Sequence, residues 1–268
     1  MCEYCGKHKR KKWFLDEENY KEALLEDKKR QNVLQKLGGY SHEFYLRDGV
    51  EPLYKYQTPV LKMLLKYVSG KRMKDEYAGQ IITLEDALKV VDLADNHVLF
   101  ECACRKFSGD KSDYVCLNFG PLRDIVKTKN SKEKIIEIDA YEAKKILKES
   151  NEKGLFHEVY FAKAPFPTTL CNCSRKYCLA AKDRFVYGID KFLFKGHEVA
   201  VVESDKCSGC AKCLVRCQFG SVFFDSDSQK PIIDITKCFG CGLCETACPR
   251  KAIKLVNRNR LEGSKGEW

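Results

Sequence analysis

The chain has 268 residues, is 44% hydrophobic, carries a formal charge of +10 from 48 basic and 38 acidic side chains, and contains sixteen cysteines. That length suits about two domains with at least one real core. No run of 18 apolar residues occurs, which excludes a membrane-spanning helix, and so many thiols suit a reducing compartment.

Residues 1–40 are dense in charge. The opening MCEYCGKHKRKKWF has cysteines and lysines where a secretory signal needs an apolar stretch, so the expected location is the cytoplasm. Cys2 and Cys5 form a C-x2-C pair with His8 at the same further spacing, half of a zinc knuckle. A haem attachment is excluded because Gly6 stands where a histidine is required. Two cysteines from elsewhere would complete a separate zinc or fourth-cluster site there. The basic run KHKRKKWF offers a nucleic-acid contact, although runs of that size are more often simply solvated. From Asp16, DEENYKEALLEDKKRQNVLQKL reads as a helix stopped by Gly38 and Gly39. Leu24, Leu25, Val33, Leu34 and Leu37 give it a narrow apolar stripe that should dock on the rest of the protein.

Residues 41–198 read as a mainly helical, cysteine-rich module. TPVLKMLLKYV predicts a helix with Pro59 in its first turn. TLEDALKVVDLADN predicts a second, with Thr83 as N-cap and Asp86 three residues on. DAYEAKKILKESNEKG predicts a third, capped by Asp139 and stopped by Gly154. HVLFECACRK and FHEVYFAK read as short extended segments between them. The cysteines here fall in two tight groups: Cys102, Cys104 and Cys116, then Cys171, Cys173 and Cys178. Two C-x-C pairs separated by a helix can be brought face to face, as a metal site assembled from distant parts of a chain requires. Zinc would take four of these thiolates, and a third 4Fe-4S cluster would use a similar set. The company of other clusters favours the latter.

Residues 199–257 hold the most specific signal, Cys207, Cys210, Cys213 and Cys217, then Cys238, Cys241, Cys244 and Cys248. Each set has the spacing C-x2-C-x2-C-x3-C. Three closely spaced thiolates hold three irons of one cubane while the fourth reaches to the neighbouring cluster. Two clusters follow, one on Cys207, Cys210, Cys213 and Cys248, the other on Cys238, Cys241, Cys244 and Cys217. Paired zinc half-sites and disulfides fit neither the spacing nor the duplication. The stretches CSGCAKCLVRCQFGSVFF and CFGCGLCETACPRKAIKL resemble the bacterial dicluster 4Fe-4S ferredoxin domain. The second has Pro249 after its last cysteine, whereas the first has Gln218, which should alter hydrogen bonding near a sulfur more than ligation. SVFFDSDSQKPIIDI supplies a hairpin-like connection, and 258–268 read as a polar, mobile tail.

LFECACRK and CNCSRKYC, with the helical segments around them, resemble largely uncharacterised ferredoxin-like proteins of anaerobes, in which a cysteine-rich module precedes a dicluster domain. That resemblance implies redox function and marks the six cysteines from Cys102 to Cys178 as ligand candidates. Each oxidised cluster with its four thiolates adds about −2, so two clusters bring the net charge to about +6 and four to about +2, an ordinary value. No radical-enzyme C-x3-C-x2-C, G-x-G-x-x-G, P-loop or G-x-S-x-G element occurs. His8, His42, His97, His157 and His197 are dispersed and read as surface or core residues. Lys206, Lys212, Arg216, Lys237 and Arg250 surround the tandem ligands as a solvated surface, or as a means to raise potential and dock an acidic partner.

The expected fold is α+β, a mainly helical cysteine-rich module followed by a small βαβ-type dicluster domain. The expected function is iron–sulfur electron transfer to or from a partner oxidoreductase. Two alternatives stand beside it: a reductase whose extra cluster is the site of chemistry, and a redox-sensing regulatory or nucleic-acid-binding protein.

Overall fold

The computed structural model describes residues 12–39, 60, 77–108, 115–129, 134–186 and 188–264. The helix expected around Pro59 lies outside them apart from Val60. The first described segment is less regular than its pattern predicts. Three short 3-10 turns, Trp13–Leu15, Glu17–Tyr20 and Glu22–Glu26, precede helix α1 (Lys28–Gly39). The reason is local. The Asp16 carboxylate accepts from the Glu18 N–H at 3.3 Å, and that of Asp27 accepts from the N–H groups of Lys29 at 2.7 Å and Arg30 at 3.1 Å. Each aspartate competes for the bonds that would continue a helix and restarts it instead.

The apolar stripe docks through its described side chains, with that of Leu37 outside them. Val33 and Leu34, with Leu24 and Leu25, pack on Leu122, Ala162 and Phe166. Arg30 donates to the Lys163 carbonyl from Nε at 3.2 Å and Nη2 at 3.0 Å, and its guanidinium lies over the Phe166 ring. Trp13 is 1% exposed, and its indole N–H bonds Gln80 Oε1 at 2.6 Å. Lys12 pairs with Asp86 and, at 2.6 Å, with Glu198. Two residues of the basic run thus hold the fold together.

The middle module follows as β1 (Tyr77–Ile82), α2 (Leu84–Leu93), β2 (Val98–Phe100), α3 (Ala103–Phe107), β3 (Cys116–Asn118), α4 (Leu122–Lys129), β4 (Ile136–Glu137), α5 (Ala140–Glu152), β5 (Phe156–Ala162), β6 (Pro167–Cys173), α6 (Leu179–Phe185) and β7 (Leu193–Phe194). The seven strands form one sheet in the order β4-β2-β3-β6-β5-β1-β7. All neighbours are antiparallel except β1 and β7. The chain is α+β as expected, and among the described residues this module sets five helices against a seven-stranded sheet that the sequence showed only as short extended segments. All seven residues of β5 are buried. A strand covered on both faces loses the alternation that would reveal it, and so reads as a short apolar run.

Helices α2 and α5 cover one face of the sheet. Their caps follow the sequence: Thr83 Oγ1 accepts from the Asp86 N–H at 3.1 Å, and Asp139 with Glu142 forms a full capping box. Val90, Val91, Ala143 and Leu147 from these helices meet Val159, Phe161, Leu170 and Leu117 from the strands. By alternation, Glu158, Tyr160, Cys171 and Cys173 face the other side. There Phe156, Tyr160, Cys173 and Cys178 share one buried cluster with Phe219, Phe239 and Leu243 of the last domain.

That domain pairs β8 (Glu198–Val202) with β11 (Ile253–Asn257), and β9 (Val222–Asp225) with β10 (Lys230–Ile233) as the expected hairpin. Helices α7 (Lys212–Arg216) and α8 (Leu243–Thr246) carry the tandem cysteines onward. The described part of the tail, 258–264, departs from expectation. Arg258 and Ser264 are 0% exposed, and two 3-10 turns pack the chain through residue 264. A polar sequence without periodicity conceals such an anchor because its partners are backbone carbonyls.

Candidate metal centres

The tandem runs form two thiol groups. Cys207, Cys210, Cys213 and Cys248 line one cavity with Pro231, Ala252 and Ile253. Cys217 lies with Cys238, Cys241 and Cys244 in the other, where each negative charge would raise the next. The grouping is the crossed one that the spacing predicts. Backbone and hydroxyl donors point at several sulfurs: Ala252 N–H at 3.2 Å from Cys248, Ser221 N–H at 3.4 Å from Cys217, with the Ser221 hydroxyl at 3.2 Å, and Ala200 N–H at 3.5 Å from Cys238. Such donors favour thiolate charge and tune potential.

The two groups differ in exposure. Cys210 is exposed, and the Lys212 backbone N–H holds its thiol below the usual range. Burial pushes the Cys241 thiol up to about 12 and raises that of Cys244 as well. Several buried thiols that cannot ionise together without a cation among them are a donor set suited to a cationic iron–sulfur core. Of the basic residues near the ligands, Lys206 pairs with Glu203 at 2.7 Å and Lys237 with Asp234 at 3.2 Å. Lys212 and Arg250 line the first cavity.

All six cysteines of the middle module come together on the far face of the sheet. C-x-C on strand β6 sets Cys171 and Cys173 on one face. The Leu117 to Leu170 register places Cys116 of β3 beside Cys171. Cys102 follows β2, with its Sγ 3.9 Å from Cys116 Sγ, and Cys104 sits in the first turn of α3. Cys178 precedes α6, where its sulfur accepts from the Ala181 N–H at 3.3 Å. Hydrogen bonds from the Cys104 and Cys116 thiols hold Cys102 well below the usual thiol range, and its charge raises theirs. A bond with Cys178 favours the Cys173 thiolate, but burial and nearby negative groups prevail and push it up to about 12.

Sequence reading missed Glu158. It lies opposite Cys171 across β5 and β6, is 0% exposed, and accepts from the Cys178 thiol at 3.0 Å through Oε1 and from the Tyr160 hydroxyl at 2.9 Å through Oε2. Burial pushes its carboxyl up to about 7. One signal was available: a glutamate inside a run as apolar as FHEVYFA is costly to bury without a purpose. Cys2, Cys5 and His8 lie outside the described residues, as does His42.

The described histidines are core residues. His157 is fully buried, with Asn151 Nδ2 donating to Nε2 at 3.3 Å and Nδ1 donating to Asn172 Oδ1 at 2.6 Å. Burial lowers its value to about 4, against about 6.5 in an unfolded chain. The folded state therefore refuses a proton that the unfolded state accepts. The resulting stability is complete above about pH 6.5 and falls away as the pH drops toward about 4, by up to about 3 kcal/mol. Denaturant unfolding of a His157→Gln variant should show a flatter acid limb between those values, and an unchanged limb would refute the assignment.

The dicluster and middle modules are clamped beside these thiols. Gln218, the departure from proline, accepts from the Arg175 N–H at 2.7 Å and donates to the Gly154 carbonyl. Arg216 donates to the Asn151 carbonyl at 3.2 Å and to that of Glu152. Phe219 stacks on Phe239 at 4.3 Å and meets Phe156 at 5.0 Å. Cys217 and Cys241 of the second group and Cys171 of the middle module pack on this same aromatic cluster.

Residues 206–253 match the family of 4Fe-4S dicluster domains, so the tandem stretch is such a domain and the chain is an iron–sulfur protein. No curated protein matches the chain.

Proposed function

We propose that this protein transfers low-potential electrons through two 4Fe-4S clusters, held by Cys207, Cys210, Cys213 and Cys248 and by Cys238, Cys241, Cys244 and Cys217, to or from a third cluster in the middle module. Bound clusters supply one-electron steps. The observation that carries this reading is the buried aromatic cluster shared by Cys217 and Cys241 with Cys171, Cys173 and Cys178. The exposed Cys210 side, with Lys212 and Arg250, is the approach for a partner oxidoreductase or donor of acidic surface. Gln218 and Arg216 fix the distance between the modules, and the phenylalanines exclude water between them.

The six middle cysteines exceed the four that one cubane needs. Glu158 beside them gives the reductase reading its own support, since a buried carboxyl is placed to hold a proton next to a redox centre. The nucleic-acid reading loses part of its basis, because Lys12 and Trp13 of the basic run are engaged internally. No helix among the described residues is long and apolar enough to cross a membrane. The sixteen thiols support a reducing compartment, the cytoplasm. Whether Cys2, Cys5 and His8 hold zinc or a further cluster is a matter for metal counting.

Protein purified without oxygen should contain about twelve iron and twelve sulfide per chain, and a Cys102→Ala/Cys116→Ala variant about eight of each. About eight of each in the unmodified protein would sink the third cluster and leave the dicluster domain standing.

A further inference from the structure

The seven donors of the middle module, six thiols and one carboxyl, divide by position. Cys116 Sγ lies 3.9 Å from Cys102 Sγ, Cys104 is two residues on from Cys102, and the register of β3 with β6 sets Cys116 beside Cys171, which makes one group of four. Cys178 donates to Glu158 Oε1 at 3.0 Å, and with Cys173 close to both they make a second group. The donor atoms of Glu158, Cys173 and Cys178 all lie within 4.8 Å of one another. Glu158 is 0% exposed, and Cys173 and Cys178 are each 3% exposed.

A buried carboxylate is ordinarily paired with a cation or bound to a metal. Among the described residues no ion pair is made by Glu158, whose partners are the Tyr160 hydroxyl and the Cys178 thiol. We infer that Glu158, Cys173 and Cys178 hold one divalent ion of the zinc class, separate from the four thiols of Cys102, Cys104, Cys116 and Cys171. The ion's site stands on its own geometry, and only its separation from a cluster rests on the proposed third cubane.

The chemistry is consistent at each donor. Two soft thiolates and one hard carboxylate are a mixture that zinc, a borderline ion, accepts, and three protein ligands leave a fourth position for water or another small ligand. Zinc takes the place of the proton that the Cys178 thiol donates to Glu158 Oε1. The thiol protons leave to solvent as the ion enters, so affinity rises with pH. A tetrahedral zinc with ordinary bond lengths needs about 3.5 Å between a sulfur and an oxygen ligand, a small opening of the present contact. Tyr160 Oη donates to Oε2, the oxygen that does not face Cys178. It thereby fixes the carboxylate's orientation as a supporting hydrogen bond does at metal sites.

The test uses the full chain purified anaerobically with zinc in the medium, with zinc, iron and sulfide counted and the zinc environment read by X-ray absorption at its K edge. About one zinc per chain with two sulfur and two oxygen or nitrogen neighbours is expected. Glu158→Gln and Cys178→Ser should each lower zinc at least about fivefold without changing sulfide. Zinc retained in both variants sits elsewhere and overturns the inference, as do three or more sulfur neighbours, or no zinc in protein with its full sulfide. Zinc present and lost in these variants, with only about eight sulfide per chain, would support this site while sinking the third cluster.

Discussion

Gly240→Ala is expected to empty the second cysteine group, lowering bound iron by about four per chain and destabilising the dicluster domain by about 3 kcal/mol or more. Gly240 stands between Cys238 and Cys241 at φ +72°, and a Cβ there would sit 2.1 Å from the Glu198 carbonyl oxygen and 2.8 Å from its carbon. Those are backbone atoms of β8, held by the β11 ladder and by an Arg258 donor on the same oxygen. Neither side can yield cheaply. Gly209 repeats the arrangement in the first run, at φ +69° with the Gln229 carbonyl oxygen at 2.5 Å.

Two effects could bar alanine here, and their sizes can be separated. The left-handed backbone alone costs about 1–2 kcal/mol. The first run accepts that cost at Ala211, with φ +56°, where the second has Gly242 at +79°. Backbone strain is therefore tolerable in this loop, and the close approach to β8 decides the outcome. Gly220→Ala is the control, since φ is +67° there with no atom within 4 Å of the added carbon. It should cost about 1 kcal/mol and keep its iron. If Gly240→Ala melts with Gly220→Ala and retains the same iron, the close approach is not what excludes a side chain.

The difference between these glycines marks what could be read from sequence. The grouping of the eight tandem cysteines was legible because it follows from their spacing, and the caps at Thr83 and Asp139 because they act over three residues. The gathering of Cys102, Cys104, Cys116, Cys171, Cys173 and Cys178 was legible as a grouping, since two C-x-C pairs imply a common target. The sheet that gathers them was not, because β5 is buried on both faces and carries no alternation. Glu158 was hidden for the same reason: its role depends on the register that sets it opposite Cys171. Gln218 looked like a mild loss of proline, and its bonds to Arg175 and Gly154 belong to an interface between modules far apart in sequence.

Removing the anchor at the end of the described chain should be nearly as damaging as filling the Gly240 approach. Arg258 is 0% exposed, with Nε donating to the Gly196 carbonyl at 3.0 Å and Nη2 to those of Cys238 at 2.6 Å and Glu198 at 3.1 Å. The Cys238 carbonyl belongs to a proposed ligand of the second cluster, so this guanidinium ties the ligand loop to β8 and to the linker between modules. Each buried carbonyl stripped of its donor costs about 1–3 kcal/mol, and three of them with a cavity put Arg258→Ala near 4 kcal/mol. Lysine should restore little of this, because a single ammonium cannot reproduce the planar fork that reaches several carbonyls at once. The anchor is itself held, for Ser264 Oγ donates to the Arg258 carbonyl at 2.8 Å. A chain ending at Asn257 should lose stability and second-group iron as Arg258→Ala does, whereas one ending at Ser264 should keep both. Iron content and thermal melts of the two truncations decide the matter. If the chain ending at Asn257 behaves like the full protein, Arg258 is packed without being needed, and the ladder of β8 with β11 must hold the loop alone.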